Sequence, residues 1–197
     1  MSEVSPKLRE ELVALAEEDQ RVRDRLAAQG ALSEGYNTIM EAVHQHNAAR
    51  LRMIIDEHGW PGEKRFGKDG AEAAWRIAQH AIGEPAFQRR CLDLLYDAVE
   101  HGDAPAWQAA FLEDRVRMFE GRGQLYGTQF DVGPDGLPVP FPIEKPEEVD
   151  ARRASVGLEP LADQLAKAQP VPPTDPEVRA RRERAYQQWL RDVGWRR

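Results

Sequence analysis

Disulfide chemistry is closed to this chain, because its 197 residues include one cysteine, Cys91. A lone thiol builds neither an intrachain disulfide framework nor a paired-cysteine metal site. Leu92, Leu94 and Leu95 follow it, so Cys91 reads as a small buried hydrophobe. No apolar run approaches the length that crosses a bilayer, and the first residues lack the apolar heart of a signal segment. A cytoplasmic location is therefore the expectation, with no membrane partner. Positive charge is also short: 27 basic against 34 acidic residues leave a net charge of -7, which opposes non-specific attachment to nucleic acid. The one basic cluster, Arg179, Arg181, Arg182 and Arg184 continued by Arg191, Arg196 and Arg197, reads as a solvated helix face. There is no phosphate-cradling Walker loop, dinucleotide-binding glycine fingerprint, serine elbow or zincin helix.

What remains is a helical pattern. Leucines and valines spaced by three and four predict a first helix from Ser5 to Gln29 closed by Gly30, and a second, capped by Ser33, running to His58. A third is expected from near Asp69 to Ile82, a fourth from Pro85 to His101, and a fifth between Pro105 and Gly121. Residues 123–143 change texture, and Pro134-Asp135-Gly136 separates two extended stretches, 124–132 and 137–141, so a β-hairpin or ordered loop is expected. Two short helices then precede a stiff spacer, Pro170-Val171-Pro172-Pro173, and a last helix from Pro176 to Val193. The fold class is mainly α, a multi-helix orthogonal or bundle-like domain over residues 1–169, with the spacer and C-terminal helix in 170–197.

Polar residues on apolar stripes carry the functional signal. Asn47 interrupts the stripe of Met40, Val43 and Leu51. His80 follows Ala73 and Ile77 at the same spacing, and Asp114 lies among Trp107, Phe111 and Met118. A buried carboxylate costs several kcal/mol unless paired, so Asp114 requires a partner, with His80 and Arg115 as candidates. An aspartate held against a histidine fixes its tautomer and raises its basicity, as a general base needs. The run Gln124-Leu125-Tyr126-Gly127-Thr128-Gln129 adds donors and acceptors around a flexible glycine. Glu41-Ala-Val-His44 has the Glu-x-x-His spacing of carboxylate-bridged di-iron bundles, but in a single copy. A mononuclear site from His44, His46, His58 and His80 with Asp114 is the other metal arrangement considered. Trp75, at helical spacing, is expected in the core.

Several of these residues also carry a family resemblance. Ile54-Ile55-Asp56 leads to Gly59-Trp60-Pro61. Ala74-Trp75, Gln79-His80-Ala81, Phe87-Gln88 and Asp114-Arg115-Val116 follow, and then Gln124 to Gln129. Pro142-Ile143, Arg152 or Arg153, Gly157-Leu158 and Pro160-Leu161 complete the series. In this order the chain resembles DUF6624, a bacterial family of unknown function, over about residues 35–165. An acidic residue often follows Gln-His-Ala in that pattern, where this chain has Ile82. The resemblance implies a recurring framework of His80, Asp114, Arg115, Tyr126, Thr128 and Gln129, and supplies no reaction.

The resulting expectation is a domain that handles a small polar or anionic molecule, the nearest reaction being metal-independent hydrolysis with no cofactor. His80, Asp114 and Tyr126 are the catalytic candidates, and Arg115, Thr128, Gln129 and Asn47 the substrate-binding ones. The alternatives are a non-catalytic interaction module, homodimeric through its terminal helices, and a metal-dependent helical enzyme.

Overall fold

Helix α1 (Pro6–Ala28) forms where leucine, valine and small residues recur every three or four positions, and the chain leaves it through Gly30 at φ 68°. The computed structural model describes residues 6–32, 35–172 and 175–197. The chain divides into two compact units, Met1–Ala104 and Pro105–Arg197, and the fold is mainly α with a small hairpin. Among the described residues no helix is long and apolar enough to cross a membrane.

In the first unit, α2 (Thr38–His58) is capped by Asn37, whose side chain accepts from the amides of Ile39 and Met40. Ser33, the expected cap, lies outside the described residues, as do Ser5 and Pro173. Helix α3 (Glu63–His80) begins six residues before its expected start. Asp103 explains the difference: its carbonyl accepts from Glu63 N at 2.9 Å and its Oδ1 from Lys64 N at 2.7 Å, which caps a first turn that Gly67 then kinks at φ 68°. The helix stops at His80 rather than Ile82, where buried Gln88 of α4 (Pro85–Glu100) donates to the carbonyls of Ala78 and Gln79 at 2.7 and 3.1 Å.

Helix α1 packs mainly on α3, and also on α2. Gly70, Ala73 and Ala74 of α3 permit the close approach, since a Cβ at Gly70 would stand 3.1 Å from Arg9 Cγ. Val22, Leu26 and Met40 form an apolar cluster with Tyr36 and Val43 against it. Trp60 is buried, whereas Trp75 is only half-buried, a departure from the expected core position. Cys91 is fully buried as expected.

The second unit opens with α5 (Ala106–Phe119). The hairpin is present but shorter than the expected stretches: β1 (Phe130–Val132) pairs antiparallel with β2 (Pro138–Pro140). Prolines 138, 140 and 142 supply no amide donors, and this limits the ladder. After a 3-10 turn, Pro146–Glu148, come α6 (Val149–Ser155), α7 (Leu161–Ala166) and α8 (Pro176–Asp192). Asp175 caps α8. Beyond α8, Trp195 stacks on Phe119 at 5.0 Å, and Arg196 donates to the carbonyls of Met118 and Phe119, both at 2.9 Å.

Candidate functional site

Three helices of the first unit each contribute one polar side chain to a single buried point. Asp19 on α1 belongs to the buried stripe Leu12, Ala16, Asp19, Val22 and Leu26. His44 lies between Met40 and Asn47 on the buried face of α2, and His80 ends α3. Asp19 is 1% exposed, and its Oδ2 stands 2.8 Å from His80 Nδ1 and 3.4 Å from His44 Nε2. The imidazole centroids are 5.1 Å apart. Tyr36, just before α2, makes a 2.7 Å hydrogen bond through its hydroxyl to His44 Nδ1. His80 is the most exposed of the three, with 22% of its side chain reachable.

Burial alone drives the Asp19 carboxyl upward, but the facing imidazoles of His44 and His80 outweigh it and hold the group well below the ordinary carboxylate range. Asp19 is therefore a carboxylate at neutral pH. Burial pushes the Tyr36 phenol up, reinforced by the negative charges of Glu41, Asp19 and Glu84, so Tyr36 keeps its proton. Two polar atoms of the cluster, Asp19 Oδ1 and His44 Nε2, are buried without a hydrogen-bond partner among the described residues. Each such atom costs about 1–3 kcal/mol when nothing replaces the lost water.

Asp114 has other partners than those expected from sequence. Its carboxylate accepts from the amides of Leu125 (2.7 Å), Tyr126 (3.1 Å) and Thr128 (2.9 Å) and from the Thr128 hydroxyl (3.0 Å). Burial pushes the Asp114 carboxyl up, and those donors offset only part of the rise. Arg115 donates to Gln129 Oε1 at 3.2 Å. The Tyr126 phenol is raised by burial and then by Asp114. Gln129 and Thr128 are buried and joined at 3.0 Å. Arg152 donates to the Leu125 carbonyl at 2.6 Å, and fully buried Arg153 to that of Tyr126 at 2.8 Å. The 124–129 loop is thus held from both sides by charged side chains.

Asn47 donates to the Leu15 carbonyl at 3.2 Å and ties α2 to α1. Of the four histidines weighed as metal ligands, His44 and His80 meet, with Asp19 in the place given to Asp114. His46 is exposed, and His58 Nε2 is 3.6 Å from Glu57. Glu41 of the Glu-x-x-His pair accepts from Gln45 at 3.3 Å. The residue missed by sequence reasoning is Asp19, although it interrupts an apolar stripe just as Asn47, His80 and Asp114 do.

Helices that close around a buried carboxylate between two imidazoles define a mainly α protein with a buried polar centre. The chain belongs to the DUF6624 family, a family of unknown function, which it matches over residues 6–169. The match takes in α1 and with it Asp19, a longer span than the resemblance in the sequence indicated. No curated protein and no solved structure matches the chain.

Proposed function

We propose that Asp19, His44 and His80 are the working centre of a domain that handles a small polar, anionic molecule, and that His80 is the residue meeting it. The observation that carries this reading is the placement of a 1% exposed carboxylate 2.8 Å from a partly exposed imidazole. A core needs no such group, because apolar side chains of similar volume fill it at no desolvation cost. Asp19 orients the His80 ring and opposes its movement. In the hydrolytic form of the reading, His80 accepts a proton from water while Asp19 fills the orienting role first ascribed to Asp114. Arg115, Thr128 and Gln129 make the contacts described above within the second unit, around the loop that Asp114 holds.

The test uses the full chain and its His80→Gln variant, screened against small carboxylates and phosphates by thermal shift and NMR. The expected result is a set of ligands whose response disappears in the variant while its circular dichroism stays unchanged. If every ligand response survives His80→Gln, the assignment is wrong.

A further inference from the structure

We propose that Asp19, His44 and His80 hold one divalent first-row transition-metal ion, with the remaining coordination positions open to water or to a small anionic ligand. The inference rests on the reading that this cluster is the working centre, and it supplies the positive charge that an anion would meet there.

The geometry argues first. One donor atom from each of the three residues lies within 4.8 Å of the other two. Metal–donor bonds of about 2.0–2.2 Å put neighbouring donors about 3–3.5 Å apart. The separations from Asp19 Oδ2 are 2.8 Å to His80 Nδ1 and 3.4 Å to His44 Nε2, close to that spacing, and the two imidazole nitrogens, within 4.8 Å of each other, are brought to it by side-chain rotation. The three donors come from α1, α2 and α3, elements fixed by their own packing.

The unpartnered atoms argue second. His44 is 7% exposed and Asp19 1%, yet His44 Nε2 and Asp19 Oδ1 have no hydrogen bond among the described residues. If Tyr36 donates to His44 Nδ1, the Nε2–H points at Asp19 across 3.4 Å, beyond a good hydrogen bond. If His44 Nδ1–H donates to Tyr36 instead, the Nε2 lone pair faces a carboxylate oxygen, and the two repel. A cation between them resolves the second arrangement. In it Tyr36 is the outer partner that fixes the tautomer and ring orientation of a metal-binding histidine.

The donor set names the class of ion. Two imidazoles with one carboxylate favour zinc, iron(II), cobalt or manganese over calcium or magnesium, which prefer all-oxygen sites. Three protein ligands leave positions for exogenous molecules, as in catalytic rather than structural sites. With the ion bound, His80 Nδ1 is a ligand, so activation of the small molecule passes from the imidazole to the ion.

The experiment uses untagged full-length protein, stripped with chelator and titrated with cobalt(II) and zinc(II), read by visible absorption, calorimetry and metal content after desalting. The expected result is one ion per chain, visible cobalt bands of a nitrogen- and oxygen-coordinated ion, and a higher melting temperature. His44→Gln and His80→Gln should each weaken binding by about 100-fold or more, Tyr36→Phe by roughly 10-fold, and His46→Gln should not change it. Circular dichroism of each variant separates lost ligation from lost folding, and the wild-type titration decides the question if any variant fails to fold. Cobalt uptake that persists at wild-type stoichiometry in folded His44→Gln and His80→Gln overturns the proposal, as does a wild type that takes up no metal. In the latter case, a ligand response lost in His80→Gln shows that the working centre stands without metal. A response unaffected by His80→Gln removes both.

Discussion

Replacing Asp114 by asparagine tests whether this carboxylate serves structure or chemistry. In the folded chain its two oxygens accept from three backbone amides and one hydroxyl. An asparagine amide keeps one oxygen and turns the other into a donor, placing N–H groups against N–H groups. If the retained oxygen faces Leu125 and Tyr126, the Thr128 hydroxyl can rotate to accept, but the Thr128 amide is orphaned in a buried site. An orphaned amide costs about 1–3 kcal/mol, and loss of charge assistance in the surviving bonds adds about 1 kcal/mol. The expected destabilisation is therefore about 2–4 kcal/mol, read as a lower urea midpoint at unchanged slope. The 124–129 loop should also lose protection in hydrogen exchange, beginning with the amides of Leu125, Tyr126 and Thr128. A variant within about 0.5 kcal/mol of wild type, the range of ordinary surface substitutions, would refute the structural account and return Asp114 to the list of chemical groups.

Other consequences follow from packing and charge. Gly70→Val puts a branched side chain where even a Cβ meets Arg9 Cγ at 3.1 Å and Phe66 Cβ at 3.2 Å; a loss of about 1–3 kcal/mol is expected in chemical denaturation, and a neutral result would deny the tight α1–α3 approach. Cys91, whose thiol burial pushes up to about 12, should resist a thiol reagent in native buffer and react stoichiometrically in denaturant; fast native labelling would contradict its buried position. Glu11 is lowered by its hydrogen bond to Arg50 (Nε to Oε1, 2.5 Å). The pair's contribution is present above the ordinary glutamate value of about 4.3 and is lost as pH falls through the lower folded value. The stability gap between wild type and Glu11→Gln should accordingly narrow on acidification, and a gap that widens would reverse the sign of the coupling.

Helix positions were legible because each depends on local spacing and on punctuation by Gly30, Gly59, Pro85 and Gly121. The start of α3 was not, because its cap comes from Asp103, far along the chain, and no signal near Glu63 announces it. Burial of Asn47, His80 and Asp114 could be read from apolar stripes, yet partners could not. Backbone amides hold Asp114, and an amide carries no sequence signature. Asp19 escaped for a compositional reason: it stands in the polar run Glu17-Glu18-Asp19-Gln20, which reads as a solvated face. Projection onto the line from Leu12 to Leu26 separates it from its neighbours, since Glu18 and Gln20 face outward and are exposed.

If the Asp19 cluster exists for function, the protein should become no less stable when the whole cluster is made apolar. Removing only the imidazoles, by His44→Leu with His80→Leu, leaves a 1% exposed carboxylate with no facing polar partner, which costs about 3–5 kcal/mol in comparable sites. Adding Asp19→Leu to that pair removes the stranded charge and the unpartnered Asp19 Oδ1. Replacement of a complete buried ionic group by apolar residues is neutral or stabilising by about 1–4 kcal/mol, so the triple variant should recover all the stability the double variant loses. Urea denaturation of metal-free wild type, double and triple variants measures this, and the coupling is large because the three residues touch. A triple variant as unstable as the double one would mean that the cluster is a structural keystone. Recovery would leave no stability reason for a polar centre at this position, and its retention would then be explained by what it binds.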